Sequence, residues 1–171
     1  MDYILSLIRD VPDFPKPGIV FKDITPVLAD PKAFEAVTDA LETRLEGTGI
    51  DKIVGIEARG FIFGAALAQR LGAGFIPVRK PGKLPSLIDS VTYELEYGTD
   101  ALEMQVDSLS GGERVLIIDD LLATGGTAAA AASLVRGRGA KVAAFGFVIE
   151  LAFLDGRARL GDDRIISLFT F

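Results

Sequence analysis

Uninterrupted apolar runs, rather than alternating ones, set the framework of this chain. Val115-Leu-Ile-Ile118 contains no polar residue, Ile53 to Ile56 and Gly74 to Val78 are equally apolar, and Lys141 to Glu150 is nearly so. A strand that is apolar on both sides is covered on both faces, which is the environment of a parallel sheet. Between these runs the period lengthens. Phe34, Val37, Ala40, Leu41 and Leu45 predict a helix from Asp30-Pro31 to about Glu46, stopped by Gly47 and Gly49. Phe61 to Leu71 predicts a second helix, closed by Gly72, and the alanine run Ala128 to Ala132 predicts a third that Gly137 and Gly139 end. Arg164 to Phe169 predicts a last strand whose partner the pattern leaves open. Strands that alternate with helices in this way predict an α/β domain with a mostly parallel central sheet flanked by helices.

Two stretches break the pattern. Asp2 to Arg9 is a short amphipathic segment of one or two helical turns, and Val11 to Gly18 holds three prolines and a glycine, an extended and stiffened loop. Ile19 to Phe21 predicts a short strand, and Asp23-Ile-Thr-Pro26 a turn. Further on, Leu87 to Glu96 and Ala101 to Val106 alternate partially around Tyr97-Gly98, which predicts a mobile two-stranded ribbon. With 171 residues and no repeat, linker or low-complexity tract, the chain predicts a single domain over 1–171.

Composition narrows the chemistry. There is no cysteine and no histidine, so thiol catalysis, disulfides, a Ser-His-Asp triad and an imidazole base are all excluded. Proton transfer must use a carboxylate, Tyr, Lys, the substrate or water. The net charge of −6 argues against broad nucleic-acid or anionic-membrane binding. No apolar run approaches the roughly 18 residues of a membrane span, and no signal-peptide pattern opens the chain, so a cytoplasmic location is expected.

Candidate chemistry lies at the ends of the predicted strands. Val115 to Ile118 runs into Asp119-Asp120, then Ala123-Thr-Gly-Gly-Thr127, then the alanine helix. The order strand, acidic edge, small-residue loop, helix start builds a ligand site at a strand's carboxyl end. Loop amides and the helix N-terminus suit a phosphate, and the two carboxylates suit hydroxyl groups or a hard cation such as Mg²⁺. Burying a carboxylate is costly unless it is paired or bound. Neither G-x-G-x-x-G nor G-x-x-x-x-G-K-[ST] is present. Arg59 lies where the second strand–helix unit turns, after Glu57. Arg79, Lys80 and Lys83 follow the next strand; on its own such a cluster is ordinarily a solvated face.

Val115 to Thr127 resembles the phosphoribosyl-pyrophosphate motif of the type I phosphoribosyltransferases. The resemblance implies that Asp119 and Asp120 sit by the ribose hydroxyls and that Ala123, Thr124, Gly125, Gly126 and Thr127 cradle the 5′-phosphate. Glu57-Ala-Arg-Gly-Phe61 and Arg79-Lys-Pro-Gly-Lys-Leu-Pro85 resemble the family's pyrophosphate-contacting segments, with Arg59, Arg79, Lys80 and Lys83 as contacts. Phe14 to Pro26 resembles the base-binding hood of the adenine phosphoribosyltransferase family, where Val20 and Lys22 would meet adenine. Many relatives have Arg at Lys22, whose planar fork a lysine lacks. Ser90 to Gly98 resembles that family's flexible catalytic loop, with Glu96 and Tyr97 at its Glu-Tyr pair, and Glu150 to Arg157 is similar to its segment near the adenine pocket.

The resemblance therefore implies the type I phosphoribosyltransferase fold, with a small N-terminal hood largely from 1–30, a core from 31–171 and a flexible catalytic ribbon. It implies transfer of the phosphoribosyl group from phosphoribosyl pyrophosphate to adenine, giving AMP and pyrophosphate, by a cytoplasmic homodimer in purine salvage. Mg²⁺ would be carried mainly by the substrate's pyrophosphate and ribose hydroxyls, without a protein-only metal site. Glu96 would handle the adenine ring proton. The residues of the central motif alone leave open an enzyme for another purine or orotate, and a non-enzymatic sensor of phosphoribosyl pyrophosphate.

Overall fold

Parallel pairing absorbs the apolar runs. The computed structural model describes residues 1–95 and 98–171, and the chain divides into two compact units, Met1–Ala40 and Leu41–Phe171.

In the first unit, α1 (Asp2–Leu7) takes the amphipathic start and β1 (Arg9–Pro12) pairs antiparallel with β2 (Val20–Asp23). The loop expected from Val11 thus begins as a strand, closed by ion pairs that cross it: Arg9 with Asp23, and Lys22 Nζ 2.6 Å from Asp10 Oδ1. The turn expected over Asp23 to Pro26 instead leads into a short helix, α2 (Thr25–Ala29). Pro26 falls in the first turn, where a missing N–H costs nothing, and the Asp23 carboxylate accepts the Thr25 amide at 2.8 Å. The boundary between the units falls within α3 (Pro31–Leu45).

The second unit carries a five-stranded, wholly parallel sheet. Its strands are β3 (Lys52–Ile56), β4 (Gly74–Val78), β7 (Arg114–Leu122), β8 (Lys141–Glu150) and β9 (Ile165–Thr170), in the order β4-β3-β7-β8-β9. The last strand, unassigned by pattern, lies at the edge beside β8. Between β4 and β7 in the chain, β5 (Ile88–Leu95) and β6 (Gly98–Gln105) pair antiparallel as the expected ribbon. Its base is anchored by Leu102 and Met104, which are fully buried.

Val115 to Ile118 are wholly inaccessible to solvent, each contributing about 1.5–3 kcal/mol by burial. Val115 and Ile117 pack with α5 (Gly126–Gly137) and the ribbon, in one cluster with Ala131, Val135, Phe145 and Met104. Ile118 turns to the other face, against Gly64 of α4 (Gly60–Leu71). The sheet is thus covered on both faces, as the unbroken apolar runs require.

The first turn of α4 rests directly on β7. A Cβ at Gly60 would stand 2.6 Å from the Ile118 carbonyl oxygen and 3.2 Å from Asp119 Cα. Gly60→Ala must push helix and strand apart, and should lower the unfolding free energy by roughly 1–3 kcal/mol. Urea denaturation of the two proteins measures this, and an unchanged midpoint would show that the approach can relax.

Candidate active site

The site grows from the point where the sheet changes direction. The connection from β3 leads outward to β4, whereas that from β7 leads the other way to β8. The loops after these neighbouring strands diverge and leave a crevice at their carboxyl ends. Three loops open there: Glu57 to Arg59 after β3, Arg79 to Lys83 after β4, and Ala123 to Gly125 after β7.

Strand β7 does not stop at its acids, as its apolar run suggested; it continues through Asp119 and Asp120 to Leu122, held by pairing with the long strand β8. Successive side chains in a strand start towards opposite faces, yet the two carboxyl groups remain close enough to interact directly. Asp119 lines a cavity of about 70 Å³ with Ala123 to Thr127 and Phe147. Asp120 is buried and accepts a hydrogen bond from Arg59 Nε. Burial drives the Asp119 carboxyl well above its ordinary range, and the charge of Asp120 adds to this. Asp119 is thus destabilised as an anion in the absence of a ligand, and hydroxyl groups or a cation would relieve it.

The small-residue loop acts as the floor of the cavity. Gly125, with φ of 79°, caps α5, and its carbonyl accepts the Ala129 amide at 2.9 Å. The amides of the first turn have no partner inside the helix and face an incoming anion. From outside, the loop interlocks with a 3₁₀ turn, Gly156–Leu160. A Cβ on Gly125 would overlap the Gly156 carbonyl oxygen, and one on Gly156 would overlap that of Ala123. Arg157 pins this turn by donating to both oxygens of Glu150, each at 2.6 Å.

Every cation predicted to meet pyrophosphate has a carboxylate partner in the protein. Glu57 accepts from Lys83, from Arg79 Nε at 3.3 Å and from the Lys80 amide at 3.0 Å. Lys80 Nζ donates to Asp100 and, at 2.9 Å, to the Tyr93 hydroxyl. Burial opposes ionisation of Glu57, but Lys83, the Lys80 amide and Arg79 outweigh it and hold its pKa down at about 2. The Tyr93 hydroxyl also receives Thr127 Oγ1 at 3.3 Å, which ties the ribbon to the phosphate-loop side. These pairings keep the cations ordered and charge-compensated at the carboxyl ends of β3 and β4.

Residues 23–171 match the phosphoribosyl transferase domain family. An adenine phosphoribosyltransferase of Geobacter metallireducens is 57% identical over 171 residues, covering 100% of both chains. The crystal structure of the adenine phosphoribosyltransferase from Thermoanaerobacter pseudethanolicus superposes with a TM-score of 0.97 at 57% identity, covering 99% of each chain. The chain belongs to the adenine phosphoribosyltransferase family. A third relative, the Saccharomyces cerevisiae adenine phosphoribosyltransferase complexed with D-2,5-dideoxy-2,5-imino-altritol 1,6-bisphosphate and adenine, has a TM-score of 0.93 at 43% identity, covering 98% of this chain and 97% of that one.

In this member of the adenine phosphoribosyltransferases, Arg59, Arg79, Lys80, Lys83 and Ala123 to Gly125 come from the three loops of the second unit, Asp119 and Asp120 from the end of β7, and Gly126 and Thr127 from the first turn of α5. Val20 and Lys22 belong to the first unit, on β2, where Val20 is exposed. Glu96 and Tyr97 lie outside the described residues. Sequence reasoning passed over Glu57, Tyr93, Asp100 and Gly156 as parts of the site. Glu57 had a signal, since it directly follows the apolar run of β3 much as Asp119 follows that of β7. Asp100 sits opposite Tyr93 in the ribbon register, which only the correct hairpin pairing reveals.

Two measurements test this geometry. Gly125→Ala would need a positive φ and the space of the Gly156 carbonyl; it should weaken ribose 5-phosphate binding at least tenfold by calorimetry, and normal binding would dislodge the phosphate from this loop. Asp119 has a raised folded pKa, so its ionisation costs stability as pH rises above its unfolded value of about 4. Asp119→Asn should therefore raise the melting temperature of the ligand-free protein, with a gain that grows from pH 4 to 7. Glu57 works in the opposite sense: its depressed pKa supplies stability that is present above about 4.5 and lost as pH falls towards 2.

Proposed function

We propose that this chain transfers the 5-phosphoribosyl group of phosphoribosyl pyrophosphate to adenine, giving AMP and pyrophosphate, in purine salvage. The observation that carries this reading is the meeting of three loops at one switch point: an amide-lined cavity beside Asp119, and ordered cations on the two neighbouring loops. The yeast relative, complexed with adenine and a bisphosphorylated imino sugar derivative, supports adenine as the acceptor.

The chemistry follows from charge. Ala123 to Thr127 hold the 5′-phosphate away from the reacting carbon, and that remote contact positions the ribose. As the bond to pyrophosphate breaks, positive charge develops on the ribose ring, and Asp119 and Asp120 stabilise it at the hydroxyls. Arg59, Arg79, Lys80 and Lys83 leave their carboxylate partners to receive the departing pyrophosphate. Glu57, Asp100 and Asp120 keep these cations placed until then. Val20 and Lys22 contact adenine, and Glu96, with Tyr97 beside it, takes the adenine ring proton, because the chain has no histidine.

Among the described residues, no group of three or more His, Cys, Asp or Glu gathers to hold a metal ion. The oxygens of Asp119 and Asp120 suit Mg²⁺ as part of a shell completed by substrate and water, and Mg²⁺ bound with the substrate would supply charge to the pyrophosphate oxygens. The resemblance extends the reading to a cytoplasmic homodimer. No helix among the described residues is long and apolar enough to cross a membrane.

The protein, its mass in solution first measured by light scattering, is incubated with phosphoribosyl pyrophosphate, Mg²⁺ and adenine, another purine or orotate in turn. AMP should form from adenine by orders of magnitude faster than product from the other bases. Glu96→Gln should cut turnover strongly and leave phosphoribosyl-pyrophosphate affinity nearly intact. Absence of any product points to a sensor rather than an enzyme; unchanged turnover in Glu96→Gln moves the proton elsewhere; a monomer mass removes the homodimer.

A further inference from the structure

The phosphate loop contains no cation of its own. Ala123-Thr-Gly-Gly-Thr127 offers amides and hydroxyls to a group that carries nearly two negative charges at neutral pH, and the cations on the neighbouring loops are held by Glu57, Asp100 and Asp120. Among the described residues, a basic side chain lies against this loop. Arg159 projects from the 3₁₀ turn that interlocks with it: Arg159 Cβ stands 3.3 Å from where a Cβ of Gly125 would be, and Nη1 stands 3.3 Å from where that of Gly126 would be. The guanidinium thus reaches along the loop to the first residue of α5, flanking the cavity rather than forming its lining. Arg159 is exposed and, among the described residues, makes no hydrogen bond or ion pair to another side chain. Its neighbour Arg157 is committed to Glu150, and Gly156 is locked against Ala123, so the base of Arg159 is fixed while its head stays uncommitted.

We infer that Arg159 is a phosphate-recognition residue: it supplies the positive charge that the Ala123–Thr127 loop lacks, and it makes the site discriminate phosphorylated from unphosphorylated ribose ligands. The inference rests on the reading of this loop as the seat of the 5′-phosphate. A guanidinium suits the role because its planar fork can serve two phosphate oxygens and it stays charged at every working pH. The same residue could serve only to pack the turn on the loop; the two roles differ in how they depend on ligand charge.

The test compares AMP with adenosine, which has the same base and sugar without the phosphate, by calorimetry or competition. Arg159→Ala should weaken AMP roughly ten- to a hundredfold, as expected for loss of a charged hydrogen-bonding partner, and should change adenosine by less than about twofold. Arg159→Lys should restore part of the loss. In the unsubstituted protein AMP affinity should rise as the phosphate takes its second charge near pH 6, and Arg159→Ala should flatten that rise. Equal weakening of AMP and adenosine, or no weakening of AMP, would overturn the assignment. A melting temperature within a few degrees of the parent keeps either result interpretable. These binding measurements need no turnover, so a protein inactive towards adenine would count against the proposed reaction and not against Arg159.

Discussion

Everything at the site depends on the parallel pairing of β7 between β3 and β8. That pairing sets the ends of β3 and β7 side by side while their connections depart in opposite directions. It also sets the alternation that sends Asp119 to the cavity and Asp120 to Arg59. Without the rigid, solvent-free run Val115 to Ile118 beneath them, two adjacent carboxylates would settle wherever water was nearest. The close contact of Gly60 with Ile118 and Asp119 adds a second constraint, since it seats the start of α4 against the strand that carries both acids.

Charge pairing is the second theme. The depressed pKa of Glu57 and the raised pKa of Asp119 belong to one uneven arrangement of charge. Its cations are paired with carboxylates, while burial and the charge of Asp120 oppose ionisation of Asp119 despite the hydrogen bond from the Asp120 amide. A ligand that brings phosphates to the cations and hydroxyls or a metal to Asp119 reverses both conditions together. Binding energy gathered at the phosphates is then available at the sugar.

The sheet was legible because both-face burial leaves a signature in the sequence itself. Strands β3, β4, β7 and β8 all announce themselves as unbroken apolar runs, and Gly72 marks the end of α4 within a residue. The length of β7 was not legible, because Asp119 and Asp120 look like an ending and only the partner strand shows that pairing continues. The carboxylate clamps were hidden for a different reason. Glu57 meets Lys83, Lys80 meets Asp100, and Arg59 meets Asp120 across sequence separations of 26, 20 and 61 residues, and no periodicity carries such information. The interlock of Gly156 with Ala123 and Gly125 was equally silent, since each glycine alone reads as an ordinary turn.

The Tyr93 hydroxyl, finally, is a fully occupied valence. A phenol has one proton to give and two lone pairs to fill; Tyr93 donates to Asp100 at 3.2 Å and accepts from Lys80 and Thr127. One oxygen atom therefore joins the loop after β4, the first turn of α5 and strand β5 by a saturated three-way contact. No ligand atom can bond to Lys80 or Thr127 along these directions without vacating a lone pair on Tyr93. A ligand atom that engages Lys80 or Thr127 would therefore be felt by strand β5, which carries Tyr93.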